Sequence, residues 1–494
     1  DYVDSYCKKQ NIIRLPEICL PELWKCINRE EVGGAEKNLE MRTIIGIYDD
    51  PDHQYQGNAN IEIGTANTLI IGSSQFGKTN LIETIISNLS EVYTPDEINI
   101  YIIDFASMVL KNFENLAHVG GVVTPSDDEK LKNLFKYLSE QIIFRKERLL
   151  SVGVSSYMSY KEAGYIDIPQ IVVFVDNMTV LKELYLQDND VLLNLCREGN
   201  SVGMSFVIAN AQTAGLGYKY LANFATRIAL FCNEPSEYSS VFGACRIRPD
   251  ELPGRCVLEV DKTLYECQTL LAFKGDKEID RVRAMQIFVE EINKKYGNRH
   301  AIPIPEIPNV LSEKYIFEKF TNIEKNKHIV GLGYDSVMPI VMDMSKTNML
   351  ALSGAADRGK SNYISYFVHS MLKKYGDMDI FIFDDYKKKL STLAEQVDNV
   401  FYELRSEECK DALLNIDLCM QNRYQELISG QEISGKWEVL IINNEEVITQ
   451  ISNDKIMLAQ FKNIIGKYHM LKVYVILGEI PNVQVVYGAP EIYK

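Results

Sequence analysis

Short apolar runs punctuate this chain, and stretches with helical spacing separate them. Four such runs fall in the first half: "NTLIIG" ending at Gly72, "INIYIIDF" reaching Asp104, "IVVFVDN" ending at Asn177 and "MSFVIANAQ" ending at Gln212. Each is short and rich in Ile and Val, which reads as a strand. Between them lie segments such as "NLIETIISNLSEVY", with apolar positions near helical spacing. The second half repeats the series as "NMLALSG", "MDIFIFDD", "WEVLIINN" and "KVYVILGE". The step from Asp176 to Gln212 in the first series equals the step from Asn443 to Glu479 in the second. Even the lead-ins agree, "IIGIYDD" around Gly46 and "IVGLGYD" around Gly331. Strands alternating with helices give parallel, right-handedly wound α/β sheets. The expectation is therefore two tandem α/β domains with mainly parallel sheets. Residues 1–40 form a lead-in packing on the first module, 41–292 the first module, 293–310 a linker containing "AIPIPEIP", and 311–494 a second, degenerate module.

Composition changes little in this picture. The chain has 494 residues, too many for one ordinary domain. Its longest apolar runs are a fraction of the roughly 20 residues that a membrane span needs. The opening "DYVDSYCKKQ" lacks a signal-peptide pattern and reads like a piece cut from a longer protein. The 10 cysteines are scattered with no C-x-x-C pair, as in a reduced cytosolic protein. His118 and His469 lie beside apolar runs and read as packing or loop residues. Net charge is −16, which argues against a nucleic-acid partner, because phosphate binding rests on Lys and Arg.

Chemistry enters with two loops. "IIGSSQFGKTN" fits G-x-x-x-x-G-K-[ST] through Gly72, Gly77, Lys78 and Thr79, and "LSGAADRGKSN" fits it through Gly354, Gly359, Lys360 and Ser361. Each loop follows a strand and opens a helix. Glycines let backbone N–H groups surround a phosphate, and the helix N-terminus adds partial positive charge. The lysine neutralises the β- and γ-phosphates, and the hydroxyl ligates Mg²⁺. The expected ligands are ATP and Mg²⁺. Residues Gly72, Ser73, Ser74, Gln75, Phe76, Gly77, Lys78, Thr79 and Asn80 make up the first nucleotide site.

An acid at the tip of the third strand would hold Mg²⁺, and Asp176 is so placed; with Thr79 it forms the expected metal site. A second carboxylate usually orients and deprotonates the attacking water. Asn177 stands there instead, a candidate contact for water or phosphate: an amide can hydrogen-bond water but cannot take its proton. Weak hydrolysis follows unless another carboxylate helps. In the second module both tip positions are asparagine, Asn443 and Asn444. Glu445 and Glu446 could reach back only by shifting asparagines into the strand, at a desolvation cost. Asp357 would repel phosphate unless turned away. Gln212 is a candidate contact for water or the γ-phosphate, and its counterpart is the acidic Glu479. Arg197 and Arg227 are candidate fingers for a neighbouring subunit.

"IIGSSQFGKTN", "YIIDFASMVL…LAHVGGVV", "IVVFVDN", "REGNSVGMSFVIANAQ" and the closing "LPGRCVLEV…YECQTLLAF" together resemble the FtsK/SpoIIIE motor family. The tandem, degenerate modules are similar more narrowly to the EssC/EccC ATPases of type VII (Esx) secretion. The resemblance implies RecA-like P-loop NTPase domains and membrane spans upstream of residue 1. It implies a place on the cytoplasmic side of the cell membrane and a hexamer in the full-length context. It also implies, as partners, other subunits of the secretion machine and secreted Esx-type helical proteins that dock on the last module by a C-terminal tail. The family's catalytic glutamate does not carry over, because Asn177 occupies its position.

Three functions compete at this point. The first is the cytosolic ATP-binding motor and regulatory portion of a protein-export ATPase, with substrate recruited by the second module. The second is an FtsK-like DNA translocase fragment, which should bring a second carboxylate and a basic path. The third is an assembly module that holds ATP without hydrolysing it.

Overall fold

The computed structural model describes residues 2–12, 20–33, 36–185, 190–308, 310–333, 337–355 and 357–480. The chain divides into two compact units, Asp1–Glu306 and Ile307–Lys494.

In the first unit the apolar runs become strands covered on both faces, as in a parallel sheet packed between helical layers. Ile98–Asp104, Gln170–Asp176 and Met204–Asn210 are buried at every position. The parallel part of the sheet runs in the order Thr226–Leu230, Thr68–Ile71, Met204–Asn210, Gln170–Asp176, Ile98–Asp104, Val119–Val123. The loop-bearing strand Thr68–Ile71 is therefore central. An antiparallel wing extends the sheet beyond Thr226–Leu230 through Arg255–Val260, Thr263–Leu271, Arg42–Asp50 and Tyr55–Glu62. The helices Lys78–Val92 and Glu278–Tyr296 cover one face, and Asp128–Ser151 and Val191–Gly199 cover the other.

Part of the lead-in packs on this unit. Ile27–Asn28 pairs with Leu270 and Leu271, Leu23 O accepts from Arg255 (3.2 Å), and Arg29 pairs with Glu91 (2.6 Å). The unit boundary falls inside the stretch expected as a linker. Asn293–Tyr296 complete the helix begun at Glu278. Farther on, Ala301 and Ile304 donate to Ala117 O (2.7 Å) and Gly120 O (2.9 Å) at the edge strand. Edge-strand carbonyls need partners, and this segment supplies them, so it belongs to the first unit.

The second unit repeats the plan in reduced form. Its parallel sheet runs Met349–Ser353, Val473–Ile480, Trp437–Asn443, Met378–Asp384, Val400–Glu403, the same order as the corresponding first-unit strands. A separate hairpin, Lys327–Leu332 with Pro339–Asp343, matches the Arg42–Glu62 pair. Among the described residues nothing pairs on the outer edge of Met349–Ser353, where the first unit has Thr226–Leu230 and its wing.

One repeated device is invisible in the sequence pattern. Arg145, on the helix Asp128–Ser151, is 1% exposed and donates to the carbonyls of Pro169 (2.7 Å), Val202 (3.1 Å) and Gly203 (3.0 Å). Arg423, on Cys409–Ile428, does the same to Lys436 (2.6 Å), Leu471 and Lys472 (3.2 Å each). In both units one guanidinium gathers the entries of the third and fourth strands.

His118 and His328 are buried, against Tyr296 and against Tyr366 and Phe367 respectively. Burial pushes the first imidazole down to about 4 and the second to about 3. The unfolded chain takes up these protons near pH 6.5 and the folded chain does not. Stability is therefore complete above that pH and falls as pH drops toward the folded values, by about 1.4 kcal/mol per pH unit per histidine. Urea midpoints measured from pH 7 to 5 should fall accordingly, and His118→Gln should flatten the slope for the first unit. A wild-type slope in that variant would contradict the assignment. His469 lies exposed in a turn, its Nδ1 2.8 Å from Gly466 O.

Candidate functional site

The first loop is held from both sides. Gly72 N donates to Asn210 O (3.2 Å) and Ser73 N to Phe231 O (2.9 Å). A Cβ at Gly72 would fall 2.7 Å from Leu230 Cβ, so glycine lets the neighbouring strand close in. Farther along, Ser73 Oγ accepts from Asn233 N (3.0 Å), the Phe76 ring packs tilted against Phe231 with centroids 4.6 Å apart, and Gly254 N donates to Phe76 O (3.0 Å). Ser73 and Phe76 thus clamp the loop to the body, while Ser74 and Gln75 are exposed at its crest. Gln75 (φ +70°) and Gly77 (φ +99°) take the left-handed region, which turns the chain into the helix starting at Lys78.

Lys78 Nζ arches over the loop onto Gly72 O (2.7 Å) and Ser73 O (2.9 Å). Burial lowers its pKa, and Asp176 opposes that shift. Thr79 Oγ1 donates to Asp176 Oδ2 at 2.7 Å. Burial raises the Asp176 pKa, the Thr79 bond pulls it down, and the carboxylate of Asp104, its register partner on the next strand, adds to the rise. Mg²⁺ favours oxygen ligands and binds through one or two carboxylates plus substrate phosphates. The Thr79 hydroxyl and Asp176 carboxylate, beside an anion-facing helix N-terminus, are such a donor set. Among the described residues no group of three or more His, Cys, Asp or Glu gathers to hold a metal, so the ion would depend on phosphate oxygens for the rest.

Other expected residues sit elsewhere. Asn80, one step around the helix from Thr79, bridges backbone of the wing: it donates to Leu270 O (2.8 Å) and accepts from Ala272 N (3.0 Å). Asn177 (φ +72°) turns its amide to Phe105 O (3.1 Å). The fourth strand ends at Asn210, two residues before the exposed Gln212. Asn210 is the buried polar residue there, accepting from Thr179 N (3.1 Å) and Oγ1 (3.0 Å) and donating to Gln212 O (2.7 Å). Arg227 bonds three carbonyls of its own unit, Phe224, Val241 and Leu221. Arg197 is exposed and bonds Asn194 (3.2 Å) on its own helix.

Sequence reading passed over Glu83, one turn beyond Thr79 on the same helix. Burial, then the Asp176, Asp104 and Glu278 carboxylates, push its pKa up to about 7 against Arg281. It looked like an ordinary helix-surface glutamate because only the fold places other acids near it.

The second loop keeps two turns and the lysine contact of the first among its described residues. Asp357 (φ +59°) and Gly359 (φ +88°) take the places of Gln75 and Gly77. Lys360 Nζ lies on Gly354 O (2.9 Å) and Ala355 O (3.0 Å). Asp357 is turned away, its side chain 89% exposed and 3.9 Å from Lys389. The strand ends at Asn443 without a register shift, and Asn444 caps the next helix by accepting from Glu446 N (2.9 Å). Glu445 and Glu446 therefore stay on the exposed first turn of that helix. The side chain of Glu479 lies outside the described residues.

Residues 42–247 match the FtsK/SpoIIIE family. The ESX secretion system protein EccC of Geobacillus thermodenitrificans is 25% identical over 479 residues, covering 95% of this chain and 32% of the relative. YukB of Bacillus subtilis, an ESX secretion system protein, is 24% identical over 410 residues, covering 82% and 27%. The chain thus spans about a third of the length of the curated relatives it matches. Among solved structures, ATPases 2 and 3 of EssC from Geobacillus thermodenitrificans superpose with a TM-score of 0.82 at 24% identity, covering 93% of this chain and 87% of that one. ATPases 2 and 3 of Thermomonospora curvata EccC, in complex with a signal sequence peptide, give 0.56 at 19% identity, covering 89% and 81%. No helix among the described residues is long and apolar enough to cross a membrane.

Proposed function

We propose that this chain, which carries an FtsK/SpoIIIE domain at residues 42–247 and the tandem fold of EssC/EccC ATPases 2 and 3, is the ATP-binding, substrate-recruiting portion of a type VII protein-export ATPase. It acts on the cytoplasmic side of the membrane, within a larger and hexameric assembly. The first module binds Mg-ATP through Lys78, Thr79 and Asp176. Asn177 in place of a carboxylate supports slow hydrolysis, so this module holds nucleotide more than it consumes it. A net charge of −16 disfavours the DNA-translocase alternative.

The observation that carries the recruiting role is a groove filled in one module and open in the other. In the first module the edge strand Val119–Val123 receives residues 301–305. Besides the two backbone bonds already described, Tyr101 donates to Ile302 O (2.8 Å), Ile302 N donates to Asn99 Oδ1 (3.3 Å), and Asn133 donates to Pro305 O (2.9 Å). A Cβ at Gly120 would fall 2.3 Å from Ile302 O, so the fit is close. In the second module the corresponding strand is Val400–Glu403. Beside it is a cavity of about 540 Å³ lined by Asp379, Phe381, Phe401, Asn415, Cys419 and Glu438. Phe401 is 43% exposed. An extended segment with apolar side chains fits an open edge of this kind by strand addition, and the tail of a secreted helical protein is the reading's occupant. The Thermomonospora curvata protein of the same fold has been solved with a signal sequence peptide bound.

The test is fluorescence anisotropy with a labelled C-terminal tail peptide of a co-expressed Esx-type protein. Phe401→Asp should weaken binding at least about tenfold, the scale of one anchor residue, while Mg-ATP binding stays unchanged. Tail affinity indifferent to Phe401→Asp would remove the groove from the reading.

A further inference from the structure

We infer that the second module's loop takes the phosphates of a nucleotide without a divalent cation. This inference rests on the nucleotide-binding half of the reading above. Tail docking is measured separately, so the two can fail independently.

The anion half of the site is intact. Where it is described, the loop keeps the left-handed turns of Gln75 and Gly77 at Asp357 and Gly359, and it keeps the same lysine arch. It opens the helix Lys360–Tyr375, whose N-terminus would favour an anion. Asp357 carries its charge out toward Lys389, away from the cradle.

The metal half is dismantled, and the chain has refilled it with hydrogen bonds. Asn443 stands in the register position of Asp176, as Asp384 stands in that of Asp104. In the first module two carboxylates lie side by side, and a cation would relieve them. In the second, Asn443 Nδ2 donates to Asp384 Oδ1 at 2.8 Å, which removes the need. Asp384 also accepts from Asp385 N (2.9 Å), Leu390 N (2.8 Å) and Tyr402 Oη (2.9 Å). Four donors fill the roughly four lone-pair sites of its carboxylate, so none remains for an ion. Asn444 is engaged too, with Asp384 O (3.1 Å) and Glu446 N. The buried Asn443 Oδ1 has no hydrogen-bond partner. It is a neutral oxygen where Mg²⁺ chemistry calls for a charged one. The Mg²⁺ that the family implies therefore does not fit here, while the phosphates do. Lys360, the helix N-terminus and the loop N–H groups carry the neutralisation alone.

The experiment titrates ATP into the full chain carrying Lys78→Ala, which silences the first module, in Mg²⁺ buffer and in EDTA. Expected is one site whose dissociation constant differs by less than about twofold between the two buffers and which disappears when Lys360→Ala is added. The wild-type first-module site should weaken at least about tenfold in EDTA, the scale of one lost charge-assisted interaction. An absent second site, or one that EDTA weakens as much as the first, overturns the inference. Asn443→Asp provides a gain-of-function arm, since it restores the paired carboxylates. It should make ATP binding at this site Mg²⁺-sensitive by at least about tenfold and should remove the free Mn²⁺ signal in electron paramagnetic resonance, which wild-type module two leaves unchanged. If Asn443→Asp does not fold, the EDTA comparison decides by itself.

Discussion

Lys78→Ala should weaken Mg-ATP binding at the first module by about 3 kcal/mol, on the order of 100-fold. On bound nucleotide the ammonium would face the β- and γ-phosphates, and hydrogen bonds to charged groups are worth about 1.5–3 kcal/mol each. The side chain is preorganised for that task. It already arches over the loop onto Gly72 O and Ser73 O, and Asp176 favours its charged form against the cost of burial. The fold should survive the change, because the loop is clamped independently through Ser73, Phe76 and Gly254. Calorimetric titration of both variants separates the modules. Lys78→Ala should erase the Mg²⁺-dependent site, and Lys360→Ala should leave it untouched. Loss of that site from Lys360→Ala alone would mean that the two modules are not independent in the way their separate loops imply.

The strands, their parallel character and both phosphate loops were legible because each rests on a local signal. Apolar runs, glycine spacing and the strand-to-helix switch are written within about ten residues of one another. Thr79 and Asp176 were legible for the same reason, and the structure brings them into contact. Features that depend on chain distant in sequence were not legible. "AIPIPEIP" carries linker composition, yet Ala301 and Ile304 complete an edge strand some 180 residues earlier. That strand's glycines give no hint of what approaches them. Asn210 was hidden because it ends a run that reads as apolar, two residues before the more conspicuous Gln212. Arg227 looked like a free cation until the carbonyls around it were located. Asp357 looked hostile to phosphate because sequence carries no direction for a side chain, and its positive φ supplies one.

The paired arginines set up the other large effect. Arg423→Met should destabilise the second unit by about 3–5 kcal/mol, the cost of leaving a buried charge without its partner. Against a typical domain stability of about 5–15 kcal/mol, that is enough to bring much of the unit near its unfolding threshold. The substitution strands the carbonyls of Lys436, Leu471 and Lys472, and it also strands Glu438, 7% exposed, whose Oε1 accepts from Arg423 at 3.1 Å. Burial raises the Glu438 pKa, and Arg423 is the main group pulling it down. The first unit shows which part of this network is dispensable. Ile171 occupies the position corresponding to Glu438, and Arg145 there binds its three carbonyls with no carboxylate at that point. Glu438→Ile should therefore be tolerated, within about 1 kcal/mol, since replacing a buried ion by an apolar side chain of similar volume is often neutral. In Arg423→Met, adding Glu438→Ile should recover the part of the loss that belongs to the stranded charge and leave the part that belongs to the carbonyls. Chemical denaturation of the four chains measures both terms. An Arg423→Met unfolding midpoint equal to wild type would mean that the strand entries hold together without the guanidinium, and that its repetition in both units has another cause.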